Sequence, residues 1–341
     1  MKKSPLGALP DGRVAQLYEI SSDCVTAVVS DLGANLVRLL VPGRDGSRAD
    51  VVLGFDDPAG YLDPSGGSVG AVVGRNANRV ALARFSIGGE TVQLARNEGE
   101  NNLHSGPAYY YFRLWEVEQH TRERIVLRLD SPDGDQGFPG NATVRVTYRI
   151  EGDSLHLIYD GISDRDTVFN MTNHSYFNLC GHDKPEKAMS QLLCIPGERF
   201  AVADAASIPT GELRPVANTP MDFRKPKPIG RDIDQPYEPL LLQGGYDHSF
   251  EAAQPVCAVL SDPASGRMMT VSTTCPAVQL YAANFLNPTT GKDGARYDRR
   301  GAVCLETQFH PDTVHHPDWP QSIVKAGEPY HSETVFRFTV Q

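Results

Sequence analysis

The chain of 341 residues lacks any run approaching the ~18 apolar residues of a membrane-spanning helix, so a membrane partner is not expected. Lys2 and Lys3 stand where a signal peptide carries its charge, yet no apolar run of ~7–15 residues follows them. Basic charge is scarce. Lys and Arg total 32 against 42 Asp and Glu, a formal net charge of −10, and no basic stretch offsets it. Such a field opposes wrapping of a phosphate backbone, which excludes nucleic acid as an expected partner. The six cysteines, Cys24, Cys180, Cys194, Cys257, Cys275 and Cys304, form no CxxC pair. In a chain of this length they read as buried reduced thiols in a cytoplasmic protein, and none has a neighbour that marks a nucleophile. Also missing are an internal repeat, a linker-like segment and a convincing amphipathic helix of about 12 residues or more. One domain over 1–341 is the simplest organisation.

What remains is a period of two. Val144, Val146, Tyr148 and Ile150 alternate with Thr143, Arg145, Thr147 and Arg149, as in a strand with one buried and one wet face. Leu155, Leu157 and Tyr159 resume the pattern after Glu151-Gly152-Asp153-Ser154, which predicts a hairpin. A second hairpin is predicted at Gly88-Gly89, because two glycines supply the positive φ angles of a two-residue turn. Further strands are expected at 25–30, 35–41, 125–130, 191–195, 269–274, 278–283, 302–306 and 334–340. Glycines and prolines punctuate these runs. The fold class is all-β: a large antiparallel sandwich or barrel with few short helices.

Five segments set unusual polar residues among the strands: Gly74-Arg75-Asn76-Ala77-Asn78-Arg79, Asn101-Asn102-Leu103-His104, Thr172-Asn173-His174-Ser175-Tyr176-Phe177-Asn178, Gly245-Tyr246-Asp247-His248 and Leu305-Glu306-Thr307-Gln308. Asn, His, Arg and acids beside aromatic rings suit a sugar, whose hydroxyls need donors and acceptors and whose apolar face needs a ring. Glu306 closes an apolar run, Ala302-Val303-Cys304-Leu305; it faces water at the sheet rim or sits in a site, where burial raises its pKa. The cluster His310-Pro311-Asp312-Thr313-Val314-His315-His316-Pro317-Asp318 has metal-ligand residue types. Its prolines deny it a helix that would align the ligands, so a surface loop is the preferred reading.

In these segments the sequence resembles the aldose 1-epimerase family of the galactose mutarotase type. The likeness begins at Val52-Leu53-Gly54-Phe55-Asp56 and Tyr61, continues through Gly74–Val80, Asn101–His104, Gly137-Phe138-Pro139-Gly140, Asn173–Leu179 and Tyr246-Asp247-His248, and closes over Val278–Tyr281, Asn284-Phe285-Leu286, Leu305–Gln308 and Pro311-Asp312. The resemblance implies a large antiparallel β-sandwich and an isomerase that interconverts the anomers of a free aldohexose such as galactose or glucose. It implies Glu306 as the base on the C1 hydroxyl, His174 as the acid on the ring oxygen and His104 as a second histidine near that oxygen. Asn78, Arg79, Tyr176, Asp247 and Gln279 match positions that hold sugar hydroxyls. No cofactor is implied, because ring opening and reclosure involve neither redox chemistry nor group transfer. A monomer or homodimer acting on a small aldose is expected.

Departures from the family pattern fall around the rim: Ser105 in place of a glycine, Ser65-Gly66-Gly67-Ser68 in place of aromatic residues, Gln308-Phe309-His310, and His315 in place of an asparagine. Three other readings compete. They are a non-catalytic carbohydrate-binding protein on the same fold, an epimerase for a phosphorylated hexose, which would want extra Arg or Lys, and a metal-dependent hydrolase built on His310–His316. A negative Glu306 beside His174 is expected to favour the protonated imidazole.

Overall fold

The computed structural model describes residues 2–341. Its largest sheet has nine strands, in the order Glu116–His120, Arg124–Ser131, Ala142–Glu151, Ser154–Ser163, Tyr330–Val340, Arg267–Thr273, Val256–Ser261, Leu192–Cys194 and Lys227–Pro228. A six-stranded sheet runs Tyr176–Phe177, Val303–Gln308, Ala277–Tyr281, Asp247–Glu251, Arg199–Ala203 and Pro209–Pro215. A five-stranded sheet of Lys2–Ala8, Val14–Ser21, Thr26–Ser30, Leu36–Pro42 and Arg48–Asp50 completes the framework. The sheets are antiparallel, and the α-helices are the short Pro58–Leu62 and Glu238–Gln243. The chain is an antiparallel β-sandwich, as its period of two predicts.

Alternation explains the packing. In Ala142–Glu151 the side chains of Val144, Val146, Tyr148 and Ile150 are buried, while Thr143, Arg145 and Arg149 are at least partly exposed. Thr147 departs from the expected wet face and is buried. Both hairpins form: Arg84–Ile87 pairs with Glu90–Gln93 around Gly88 and Gly89, both at positive φ, and Ala142–Glu151 pairs with Ser154–Ser163 across Gly152-Asp153.

One apolar cluster joins all three sheets. It includes Ile20, Val29 and Leu39 from the five-stranded sheet, Val146, Tyr148 and Phe336 from the nine-stranded one, and Phe250, Val278, Leu280 and Leu305 from the six-stranded one. Because successive strand residues face opposite ways, sending Val303 and Leu305 into this core turns Cys304 and Glu306 to the other face. That second face carries the candidate site.

Phe250→Ala leaves a hole in the layer between the sheets. It is expected to lower unfolding stability by about 3–5 kcal/mol, read as a lower urea midpoint.

Candidate active site

Three neighbouring strands of the six-stranded sheet set the floor. In Val303–Gln308 and Ala277–Tyr281, Glu306 lies opposite Gln279; between Ala277–Tyr281 and Asp247–Glu251, Tyr281 lies opposite Asp247. Tyr176 pairs with Cys304 on the other side, and the chain just before it delivers His174, whose own strand, Thr172–His174, pairs with Ala71–Val73. A short ladder of Arg79–Val80 with Asn102–Leu103 brings His104 against Asn78.

These residues surround a cavity of about 960 Å³, at the upper end of ligand pockets. Asn78, Arg79, His104, His174, Tyr176, Asp247 and Glu306 all line it. Gln279 does not; it is buried behind Asp247 and donates from Nε2 to Asp247 Oδ1 at 2.6 Å. Its expected place on the sugar gives way to a place behind the residue that faces the cavity. Tyr176 also spends its hydroxyl within the protein, donating to the Gly67 carbonyl at 2.7 Å, while its ring lies 5.0 Å from that of His174. The altered rim at Ser65–Ser68 is thereby tied, through Tyr176, to the wall that carries His174.

Glu306 is 2 % exposed, and its Oε2 has no hydrogen-bond partner. Its Oε1 lies 3.6 Å from His174 Nε2. Burial pushes the Glu306 carboxyl well above its ordinary value, with Asp247 adding to the rise and Arg79 opposing it. Burial also lowers His174, from 6.5 to about 4. The sequence expectation of a protonated His174 is thus corrected. Desolvation is the leading cause for both groups, and both directions favour the uncharged pair. For His174 the sign follows from linkage: its neutral form contributes stability fully above about pH 6.5, and this is lost as pH falls toward 4. Glu306 acts in the opposite sense.

His104 is different. Its Nδ1 accepts from the Asn78 backbone N–H at 3.1 Å, and its own N–H reaches the Asn78 carbonyl at 3.0 Å. The hydrogen-bond pattern assigns the proton of the neutral ring to Nε2, which leaves a fixed donor. Desolvation, His174 and Arg79 hold its pKa well below the ordinary value. The turn that presents it is strained: Asn78, His104 and Ser105 all have positive φ. Ser105, the departure from glycine, offsets that cost with its hydroxyl, which accepts from the Asn76 N–H at 2.8 Å and donates to the Asn76 carbonyl at 2.9 Å.

The two arginines of the Gly74–Arg79 segment separate in role. Arg75 is fully buried and donates to Pro139 and Gly140 carbonyls and to Thr167 and Ser131. Arg79 reaches the cavity, where Glu98 grips it with bonds of 2.7 and 2.8 Å. Glu98 went unnoticed in the sequence because nothing in Arg96-Asn97-Glu98-Gly99-Glu100 distinguishes it from a solvated acid.

Cys304 is a further neighbour of the Glu306–His174 pair that its sequence does not mark: its Sγ lies 3.5 Å from His174 Nδ1. Of the other thiols, Cys24 is exposed and Cys194 half-buried, against the expectation that all six are buried. Donor atoms of His174, Cys304 and Glu306 lie within 4.8 Å of one another. Cys304, however, is fully buried among apolar side chains and only the other two face the cavity. The His310–His316 segment is engaged internally. Asp312 accepts from Ala81 N–H and contacts His315 Nδ1 at 2.7 Å, while His310 bonds Ser249 and its ring centre lies 5.0 Å from that of Trp319. A second cavity, about 1110 Å³ and lined by Arg44, Asp50, Cys180, His182 and Arg267 among others, has two of its acids engaged within the protein, Asp50 by Lys292 at 2.7 Å and Asp262 by Ser265 N–H at 2.9 Å.

A profile of the family described as aldose 1-epimerase matches residues 16–337. The chain belongs to the aldose 1-epimerase family. It is 38 % identical to galactose mutarotase of Mus musculus over 99 % of this chain and 98 % of that protein. Against aldose 1-epimerase of Escherichia coli K12 the identity is 34 %, covering 97 % of each. Among solved structures, an aldose epimerase homologue from C. elegans superposes with a TM-score of 0.87 at 29 % identity, covering 95 % of this chain and 98 % of the other. Galactose 1-epimerase of Lactobacillus acidophilus superposes with a TM-score of 0.86 at 26 % identity, covering 100 % and 99 %. The aldose 1-epimerase family and the β-sandwich expected from the sequence are both confirmed by these likenesses.

Side-chain ¹⁵N NMR checks the charge state. The His174 ring is expected to stay neutral at pH 6 in the sugar-free protein; an imidazolium signal for it at that pH contradicts the dominance of burial.

Proposed function

We propose that the chain interconverts the α and β anomers of a free aldohexose such as galactose or glucose, with Glu306 as base, His174 as acid and His104 as a supporting donor. Membership of the aldose 1-epimerase family makes it a carbohydrate isomerase. The observation that carries the assignment of roles is the unpartnered, buried Oε2 of Glu306, in the same cavity wall as His174 Nε2.

The ring oxygen and the anomeric oxygen of a pyranose share one carbon, so an acid and a base that act on them must be neighbours. Glu306 and His174, 3.6 Å apart, meet that requirement. In the opening direction the carboxylate takes the C1 hydroxyl proton and the imidazolium gives a proton to the ring oxygen. The C1–O5 bond breaks, and its electron pair goes to the ring oxygen. The product state is an open-chain aldehyde beside a neutral acid and a neutral imidazole. Rotation about C1–C2 and the reverse transfers close the other anomer. Both forms of the pair hold the same number of protons. Burial favours the neutral form, which accompanies the aldehyde. A sugar hydroxyl donating to Glu306 Oε2, together with the Arg79 charge, favours the ionised form that starts the reaction. Each transfer is worth about 10²–10⁴-fold. No redox step or group transfer occurs, so the reaction calls for no cofactor.

Asn78, Arg79 and Asp247 are read as the sugar's hydroxyl contacts, with Tyr281 and Tyr176 as ring surfaces. Arg79 is the one Lys or Arg lining the cavity among the described residues, and Glu98 already holds it, which disfavours a phosphorylated hexose. Residues 1–341 are read as one domain, supported by a core that runs from Tyr18 to Phe338. A cytoplasmic monomer or homodimer completes the reading; no helix among the described residues is long and apolar enough to cross a membrane.

Glu306→Gln is expected to bind sugar and to lose about 10²–10⁴-fold in turnover, followed by polarimetry on freshly dissolved α-glucose. Wild-type turnover in that variant contradicts the base assignment, whereas sugar binding without turnover in the unmutated protein favours the carbohydrate-binding reading. His174→Asn tests the acid in the same assay; unchanged turnover there transfers the role to His104.

A further inference from the structure

We propose that Glu98 is a positioning residue for sugar binding: it locks the Arg79 guanidinium in its cavity-facing orientation and keeps it from collapsing onto Asp247. This inference rests on the mutarotase reading.

The geometry is a fork. Glu98 Oε2 accepts from Arg79 Nε at 2.7 Å, and Oε1 accepts from Nη2 at 2.8 Å. A bidentate grip on the Nε edge fixes the guanidinium plane and leaves Nη1 free for a ligand. Both residues line the cavity. The Arg79 side chain is only 12 % exposed, so it has few other rotamers to visit.

Glu98 is itself held. It sits in a tight turn, with reciprocal backbone bonds to Asn101. The residue before it, Asn97, donates from Nδ2 to the Leu103 carbonyl and the Tyr109 hydroxyl, and accepts from the Leu103 N–H. Leu103 precedes His104 directly and pairs with Arg79. The same turn that holds Glu98 therefore holds the strand pair presenting Arg79 and His104. A merely solvated acid would not need this anchoring.

The second half of the argument is charge. Asp247 also attracts the Arg79 charge, while the direct ion pair of Arg79 is with Glu98. Asp247 has its own tether in Gln279 at 2.6 Å. Two tethered ends, Glu98 on Arg79 and Gln279 on Asp247, hold a cation and an anion apart in a cavity where they would otherwise pair directly. A pair held open can receive sugar hydroxyls between its members: Arg79 donating, Asp247 accepting. Release of the Glu98 end lets the arginine swing to Asp247 and close that gap.

The test uses the full chain and glucose or galactose. Glu98→Gln keeps the shape and removes the negative fork. KM, and the sugar Kd measured calorimetrically, are expected to rise by roughly 10- to 100-fold, with kcat changed far less. Glu98→Asp, which keeps the charge but shortens the reach, is expected to fall between. In an Arg79→Lys background, where no fork can form, Glu98→Gln is expected to add little. The acid limb of the kcat/KM profile gives a readout that a structural role would leave alone. The groups facing Glu306 are Asp247, Arg79, His174, Cys304, Tyr159, Tyr176 and Tyr281. Removing the Glu98 charge and pairing Arg79 with Asp247 takes away the negative field that raises Glu306, so the limb is expected to move to lower pH. An unchanged KM and Kd in Glu98→Gln, or an equal loss in the wild-type and Arg79→Lys backgrounds, overturns the proposal. A wild-type protein that binds sugar without turning it over instead overturns the mutarotase reading, and the Kd comparison still decides the role of Glu98.

Discussion

The structure depends on a buried carboxyl group that the fold leaves without a hydrogen-bond partner at Oε2. Glu306 has almost no solvent contact, and Oε2 has no partner within the protein. Such a group destabilises a folded chain unless a ligand completes it. The rigid antiparallel ladder holds it in place. Gln279 and Thr307 cannot shift without breaking the register that places Leu305 and Val278 in the core between the sheets. Stability on one face of the strand thus enforces reactivity on the other.

Around this carboxyl the residues fall into those that face the cavity and those that fix them. Gln279 holds Asp247, Glu98 holds Arg79, Asn78 holds His104, and Gly67 engages Tyr176. Asp247, Arg79, His104 and Tyr176 therefore each have a partner that sets their orientation before any ligand arrives. For the two proton transfers of the proposed mechanism, such preorganisation is a main contribution that the protein can make.

Much of this was legible in the sequence, for reasons that can be named. Strand alternation at 143–150 and the Gly-Gly turn at 88–89 are local signals, so both hairpins could be read before the fold was known. The cavity-facing Glu306, His174, His104, Arg79 and Asp247 come from segments whose residue types are rare in plain strands. The strand Lys2–Ala8, with Pro5 and Gly7 in it, carries no such alternation and forms as an edge through its pairing with Val14–Ser21. Glu98 and Cys304 were invisible as neighbours of the site because their partners are distant or depend on which face a strand presents. The His174 charge was misjudged for a related reason. A sequence shows that a carboxylate is near, but the depth of burial, which decides the sign, is a property of the assembled sheets.

A crystal structure with glucose or galactose bound tests the central claim most directly. The account predicts the anomeric hydroxyl on Glu306 Oε2 and the ring oxygen within hydrogen-bond reach of His174 Nε2. A sugar seated in the cavity with its anomeric carbon turned away from both side chains would contradict it.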